Sequence, residues 1–142
     1  MSTILLNANS TTLVLNGTPV NDFAAGDILE LTPLNPLTSH VNGSVGVNIN
    51  KRSDSGAYTL VVRVQRKSDS DIFFNSAVNG EDITVFNGSL KENFLKDGIA
   101  GVESWILESG SITVLPTETF NDTDGNAMME YTLEFRFCQR NI

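Results

Sequence analysis

The chain has 142 residues, 40% of them hydrophobic and 18% charged, which fits one domain that can build a core without staples. Seventeen acidic against nine basic residues give a net charge of −8. The only adjacent basic residues are the isolated pairs Lys51–Arg52 and Arg66–Lys67, which excludes the basic footprint of a free nucleic-acid binder. The single cysteine, Cys138, excludes an internal disulfide and a cysteine metal cluster.

The N-terminus, Met1 to Asn7, lacks a basic flank, and its apolar run is too short for a signal peptide. No stretch approaches the roughly 18 apolar residues of a membrane span. The expectation is a protein made in the cytoplasm, with no membrane partner. Residues Thr11 to Val20 carry Asn16–Gly17 between apolar stretches, a hairpin signal because a type I′ turn needs positive φ twice. Pro19 sends the second arm to a sheet edge. Asp27 to Leu31 is a candidate strand, ended by Pro33 and Pro36.

From Leu34 to Gly56 the composition changes to Asn, Ser and Gly with scattered valines. This is a long loop or hairpin excursion, and such a length inside a compact domain points to function. Ala57 to Arg66 alternates: Tyr58, Leu60, Val62 and Val64 share one face, and Thr59, Val61, Arg63 and Gln65 the other. Ser68 is the expected N-cap of a helix with Asp69 and Asp71 in its first turn. Phe73, Phe74, Ala77 and Val78 form its apolar stripe, and Asn79–Gly80 ends it.

Asp82 to Phe86 is a predicted short strand with a turn at Asn87–Gly88. Leu90 to Lys96 fits either a strand or a helical turn. Val102 to Leu115 is a long strand whose parity slips between Trp105/Leu107 and Ile112/Val114, with a β-bulge expected at Gly110. Glu118 to Asn126 is a polar turn. Met128 to Phe137 alternates, placing Met129, Tyr131, Leu133, Phe135 and Phe137 on one face and Glu130, Glu134 and Arg136 on the other. About seven strands and one helix predict a mainly β domain over residues 1–142, a β-sandwich or partly closed barrel with one flanking helix.

Candidate chemistry reduces to structure. His40, the only histidine, has no nucleophile-elbow motif to serve. The Asn121 to Asn126 segment offers oxygen donors, but Glu130 falls too early to close a twelve-residue calcium loop. Glu130 and Glu134 share a face but lie roughly 13–14 Å apart along a strand, too far for a glycosidase pair. No catalytic, cofactor-binding or metal-binding residue is assigned; a thiol without a chemical role is expected at Cys138, and the expected class is not an enzyme.

Three segments carry a resemblance: Val14 to Glu30, with its "Asn-Gly … Phe-Ala-x-Gly-Asp" phrase; Ser53 to Val78; and Ser104 to Pro116. In their order the chain resembles bacteriophage tail tube proteins, in particular the small tube subunits of contractile-tailed phages. The resemblance implies homohexameric rings whose sheets join into an inner β-barrel and which stack into a hollow tube that conducts DNA during ejection. The implied partners are other copies of the chain, sheath, baseplate and tail-terminator proteins, and DNA that passes through the lumen without specific binding. The implied location is the virion tail. Stacking requires an element that reaches the next ring, and the excursion with Val41, Val45, Val47, Lys51 and Arg52 is the candidate. A DNA conduit must repel its cargo, which makes Glu130 and Glu134 the candidate lumen-facing charges. The alternatives are a secretion-system-type tube subunit and a β-sandwich virion protein that binds surfaces or carbohydrate. Trp105 bears on the last; its position in a strand favours a core or subunit-interface role.

Overall fold

The computed structural model describes residues 2–6, 11–24, 26, 28–120 and 128–142. Asp27 and most of the polar turn after Phe120 therefore lie outside the described residues. Ten strands and one helix follow in order: β1 (Ile4–Leu5), β2 (Thr11–Leu15), β3 (Thr18–Val20), β4 (Leu29–Pro33), β5 (Thr38–Asn42), β6 (Val47–Lys51), β7 (Tyr58–Gln65), α1 (Asp69–Asn79), β8 (Phe86–Lys96), β9 (Ile99–Val114) and β10 (Met128–Asn141). The body is an eight-stranded antiparallel sheet in the order β3-β2-β8-β9-β10-β7-β4, with β1 added beside β8; β5 and β6 form a separate hairpin.

The sheet curls on itself. Ile28 and Leu29, at one edge, face Thr11, Leu90 and Trp105 from the other half across a cleft of about 220 Å³. This is the partly closed barrel expected from the sequence, built from one sheet and not from two stacked ones. Its interior holds Leu13, Leu15, Leu60, Val62, Val64, Leu107, Tyr131, Leu133 and Phe135. The alternation read in β7 and in the first half of β10 is what brings these side chains together, since partners such as Tyr131↔Val62 and Leu133↔Leu60 face each other directly.

Helix α1 closes one flank. Ser68 accepts a hydrogen bond from the Asp71 backbone N–H at 3.3 Å, as an N-cap does. Phe74 is fully buried and stacks on Tyr131, with ring centroids 4.8 Å apart. Phe73 is only half-buried, meeting Phe74 and Phe86 edge-on. Val78, expected on the apolar stripe, is exposed; it lies at the C-terminal end of the helix, on the rim of a surface cleft.

The Asn16–Gly17 turn forms as read, with φ of 51° and 77°, and Pro19 lies in the edge strand β3. The second Asn-Gly pair does not form a turn. Asn87–Gly88 lies inside β8, and of Asp82–Phe86, read as a short strand, only Phe86 is in one, as the first residue of β8. The reason is packing between neighbouring strands: the Val14 backbone passes so close to Gly88 that a Cβ there would strike its carbonyl oxygen. Asn87 is held on both sides, its Oδ1 accepting from Ser109 N–H and its N–H donating to Asn16 Oδ1, each at 2.9 Å. Leu90 to Lys96, ambiguous in sequence, continues β8 as strand and reverses at Asp97–Gly98, again with positive φ at both residues.

The parity slip in β9 falls one step before the expected glycine. Asn87 alone opposes Glu108 and Ser109, since Phe86 pairs with Gly110 and Gly88 with Leu107, and Ser109 has φ 55°. Gly110 is required for another reason: the Phe135 ring lies where its Cβ would be. The slip propagates into β10, where Arg136 and Phe137 are both exposed and Cys138 returns to the core. Phe137 is thus not on the buried face. Its ring lies over Gly56, while Cys138 N–H donates to the Gly56 carbonyl at 2.7 Å.

Candidate assembly surfaces

The excursion after Pro33 is a protruding arm. Its strands pair in register from Thr38↔Lys51 to Asn42↔Val47, so Thr38, His40, Asn42, Val47, Ile49 and Lys51 share one face. None of its apolar side chains enters the core: Val41, Val47 and Ile49 are exposed, and Val45 at the tip is 99% exposed. Lys51 is exposed at the end of β6. Arg52 is drawn back to the root by a two-pronged ion pair with Asp54, both bonds at 2.9 Å. That pairing holds the arginine above its ordinary pKa and the aspartate below its own, through the hydrogen bonds first. A hairpin of valines standing clear of its own domain gains nothing for the isolated chain; such apolar surface marks a contact.

The face of β4, β7 and β10 opposite the core is largely polar, with Val61 an exception, and partly exposed, and Leu115, Pro116, Thr117 and Thr119 line a cleft beside Glu130 and Thr132. Glu130 lies directly across from Arg63, whose Nε donates to it at 3.0 Å, and Arg63 reaches on to Glu30 at 3.4 Å. Burial works against the Arg63 charge, but the hydrogen bonds to Glu30 and Glu130 outweigh it and keep its pKa raised. Glu134 stands between Thr59 and Ser111, exposed. The two carboxylates do share a face, yet among the described residues Glu130 has an ion-pair partner and Glu134 has none. Arg136 is exposed and makes no ion pair with Glu134 among the described residues. Arg63 as a bridge between two glutamates was missed in the sequence, because the cross-strand register that opposes it to Glu130 has no local signal.

A further surface, this one apolar, was also missed. Ile4, Leu5 and Leu6 are exposed beside Leu95, Ile99 and Val102 at the tip of the β8–β9 hairpin. Thr3 and Asp97 tie this corner together with reciprocal bonds at 2.8 Å. The Asp97–Gly98 dipeptide was the available signal, being a strong short-range hairpin cue.

His40 is exposed on the arm and Cys138 is buried in the body, so the two are not partners. Among the described residues, no group of three or more His, Cys, Asp or Glu could hold a metal ion. No described helix is long and apolar enough to cross a membrane. Burial, and then the Glu108 charge, push the Cys138 thiol up from 9.0 to about 12. Burial, and then the hydrogen bond to Asp71, raise the Tyr131 hydroxyl above its ordinary 10.0. Both groups hold their protons in the fold at pH values where the unfolded chain releases them. Stability is therefore full below the unfolded values and falls as pH rises through the range above 9.0. We expect the urea midpoint to decline from about pH 9 upward and the thiol to resist alkylation until the chain unfolds. A midpoint unchanged to about pH 11, or fast labelling of the native chain, contradicts this.

No known protein family matches the sequence, and no curated protein matches it. The fold is nevertheless a known one: it is the fold of tube and tube-terminating components of contractile injection systems. The chain is similar to a chain of the sheath–tube complex of an extracellular contractile injection system (PVC) in its extended state, at TM-score 0.64, 12% identity, 96% of this chain and 91% of that one. It is similar to the tube-terminating cap of the anti-feeding prophage at TM-score 0.64, 13% identity, 96% and 91%. The sheath/tube terminator of the PVC system matches at TM-score 0.63, 12% identity and 97% of both chains.

Proposed function

We propose that the chain is a structural, non-enzymatic subunit of the tube of a contractile injection particle. The observation that carries this reading is the match to the tube-component fold over nearly the whole chain. The protruding arm supports it. Copies join through their sheet edges, β3 on one side and β4 on the other, into homohexameric rings. This pairing satisfies backbone groups that an isolated sheet leaves open. The arm, with Val41, Val45, Val47, Lys51 and Arg52, reaches the next ring, and a head-to-tail contact of that kind builds an open polymer. Sheath, baseplate and terminator proteins are the partners this role requires.

Two settings share these mechanics. In a phage tail the bore conducts DNA, and Glu130 and Glu134 on the polar face of β10 line it and repel phosphates. In a secretion-type particle the bore delivers other cargo; the similarity to extracellular injection systems favours this second setting. Because Arg63 compensates Glu130, Glu134→Lys is the cleaner test of the lining. Tubes of the variant should retain added duplex DNA that unaltered tubes exclude; equal exclusion removes Glu134 from the bore. The subunit role itself is tested by electron microscopy of the purified protein. Rings or tubes with a central hole are expected, whereas a persistent monomer at high concentration contradicts the role.

A further inference from the structure

Near the C-terminal end of α1, the segment Gly80 to Thr84 and the end of β9 enclose a surface cleft of about 320 Å³. Its wall sets Val78, Ile83, Phe86, Ile112 and Leu115 beside the hydroxyls of Thr84, Ser111 and Thr113. Ile83 is 83% exposed and Leu115 57% exposed, so these apolar side chains of the cleft are open to solvent. Its rim is anionic. Glu81 and Asp82 are both exposed, and neither makes an ion pair with a described residue. The helix ends here with no basic residue in its last turn, so the negative pole of its dipole adds to the two carboxylates. The cleft calls for an apolar segment that brings a cation.

The arm has that composition. From residue 31 to residue 53 there is no carboxylate, while Lys51 shares a face with Val47 and Ile49. The arm cannot serve its own cleft. Its root is at Gly56, against Phe137 and Cys138, whereas the cleft lies by Ile112 to Leu115, which pair with β10 at Thr132 and Leu133. Five residues of β10 separate the two ends, roughly 17 Å; Lys51, at the arm's root, lines a separate cleft with Phe137 to Arg140, and Val41, Val45, Val47 and Ile49 beyond it are exposed.

We propose that the acidic cleft of one copy receives the Val47–Ile49–Lys51 face of the arm of a second copy. The apolar side chains cover Ile83 and Leu115, and Lys51 lies against Glu81, Asp82 and the helix end. The contact is heterologous: a donor arm and an acceptor cleft at different ends of each copy, which propagates along an axis. This rests on the proposed role of the arm in stacking, and it adds the acceptor site and the force that selects it.

The test combines charge reversal with cross-linking on the full chain. Lys51→Glu should raise the concentration needed for tubes by roughly fivefold or more, since repulsion replaces attraction at every repeat. Asp82→Lys should do the same, and the double variant should return toward the unaltered value. A mixture of Ile49→Cys and Ile83→Cys proteins should form a disulfide between copies on oxidation. If deleting the arm blocks tubes but the double variant shows no recovery and no cross-link forms, the cleft is not the acceptor and the stacking role stands. If the unaltered protein forms no tubes, the stacking role falls and this proposal with it.

Discussion

Replacing Phe74 with alanine is expected to destabilise the fold by about 3–5 kcal/mol, the usual cost of emptying a buried aromatic site. Phe74 has no exposed surface and contacts Tyr131, Phe73 and Phe86 at once. It is the one fully buried aromatic of α1, with Phe73, Ala77 and the Ser70–Asp22 bonds beside it in fixing the helix to the body. Tyr131 beneath it also donates to Asp71 at 2.7 Å, so loss of the ring loosens a packed face and a hydrogen bond together. For a domain of this size the thermal midpoint should fall by roughly 10–20 °C. Phe73→Ala, at a half-buried ring, should cost about half as much. Equal effects, or a near-neutral Phe74→Ala, would mean that the helix is held by something other than this ring.

The second large effect is on assembly and should leave the fold untouched. Replacing residues 39–50 with Asn-Gly joins Thr38 to Lys51, which already face each other across the hairpin. No core residue is lost, so the thermal midpoint should stay within a few degrees of the parent. Tube formation should vanish at concentrations where the parent assembles fully. Removal of four exposed valine and isoleucine side chains per copy forfeits several kcal/mol at every stacking contact, and the loss recurs along the polymer. Tubes of normal length from the shortened chain would remove the arm from the stacking role. A collapse in stability would show that it serves its own domain instead.

Much of the fold was legible because its signals are local. Asn16–Gly17, the alternation of β7, the Ser68 cap and the Met129 to Phe135 face all depend on residues close in sequence, and all form as read. What failed depends on partners distant in sequence. Asn87–Gly88 carries the same dipeptide as the turn at Asn16, yet glycine there serves the close passage of the Val14 backbone. The exposure of Phe137 follows from the displacement at Glu108–Ser109 in the neighbouring strand, which no periodicity within β10 reveals. Val78 satisfied the helical spacing, but it lies where an open cleft separates the helix end from β9.

The assembly surfaces divide in the same way. The arm was visible as a compositional break, and the structure places Val41, Val45, Val47 and Lys51 on its exposed hairpin. Arg52 is at its root, tied to Asp54. The shared face of Glu130 and Glu134 followed from strand parity. That Arg63 compensates one of them and not the other required the register between β7 and β10. The cleft beside α1 joins residues from three elements and had no signature in any of them.

The central claim is that copies of this chain form a tube by arm-to-body stacking. Electron cryomicroscopy of the purified, concentrated protein tests it most directly. The expected result is rings stacked around a continuous bore, with the β5–β6 arm of each copy lying on the adjacent ring. Discrete particles without a bore, or a tube in which the arms lie free in solvent, would contradict it.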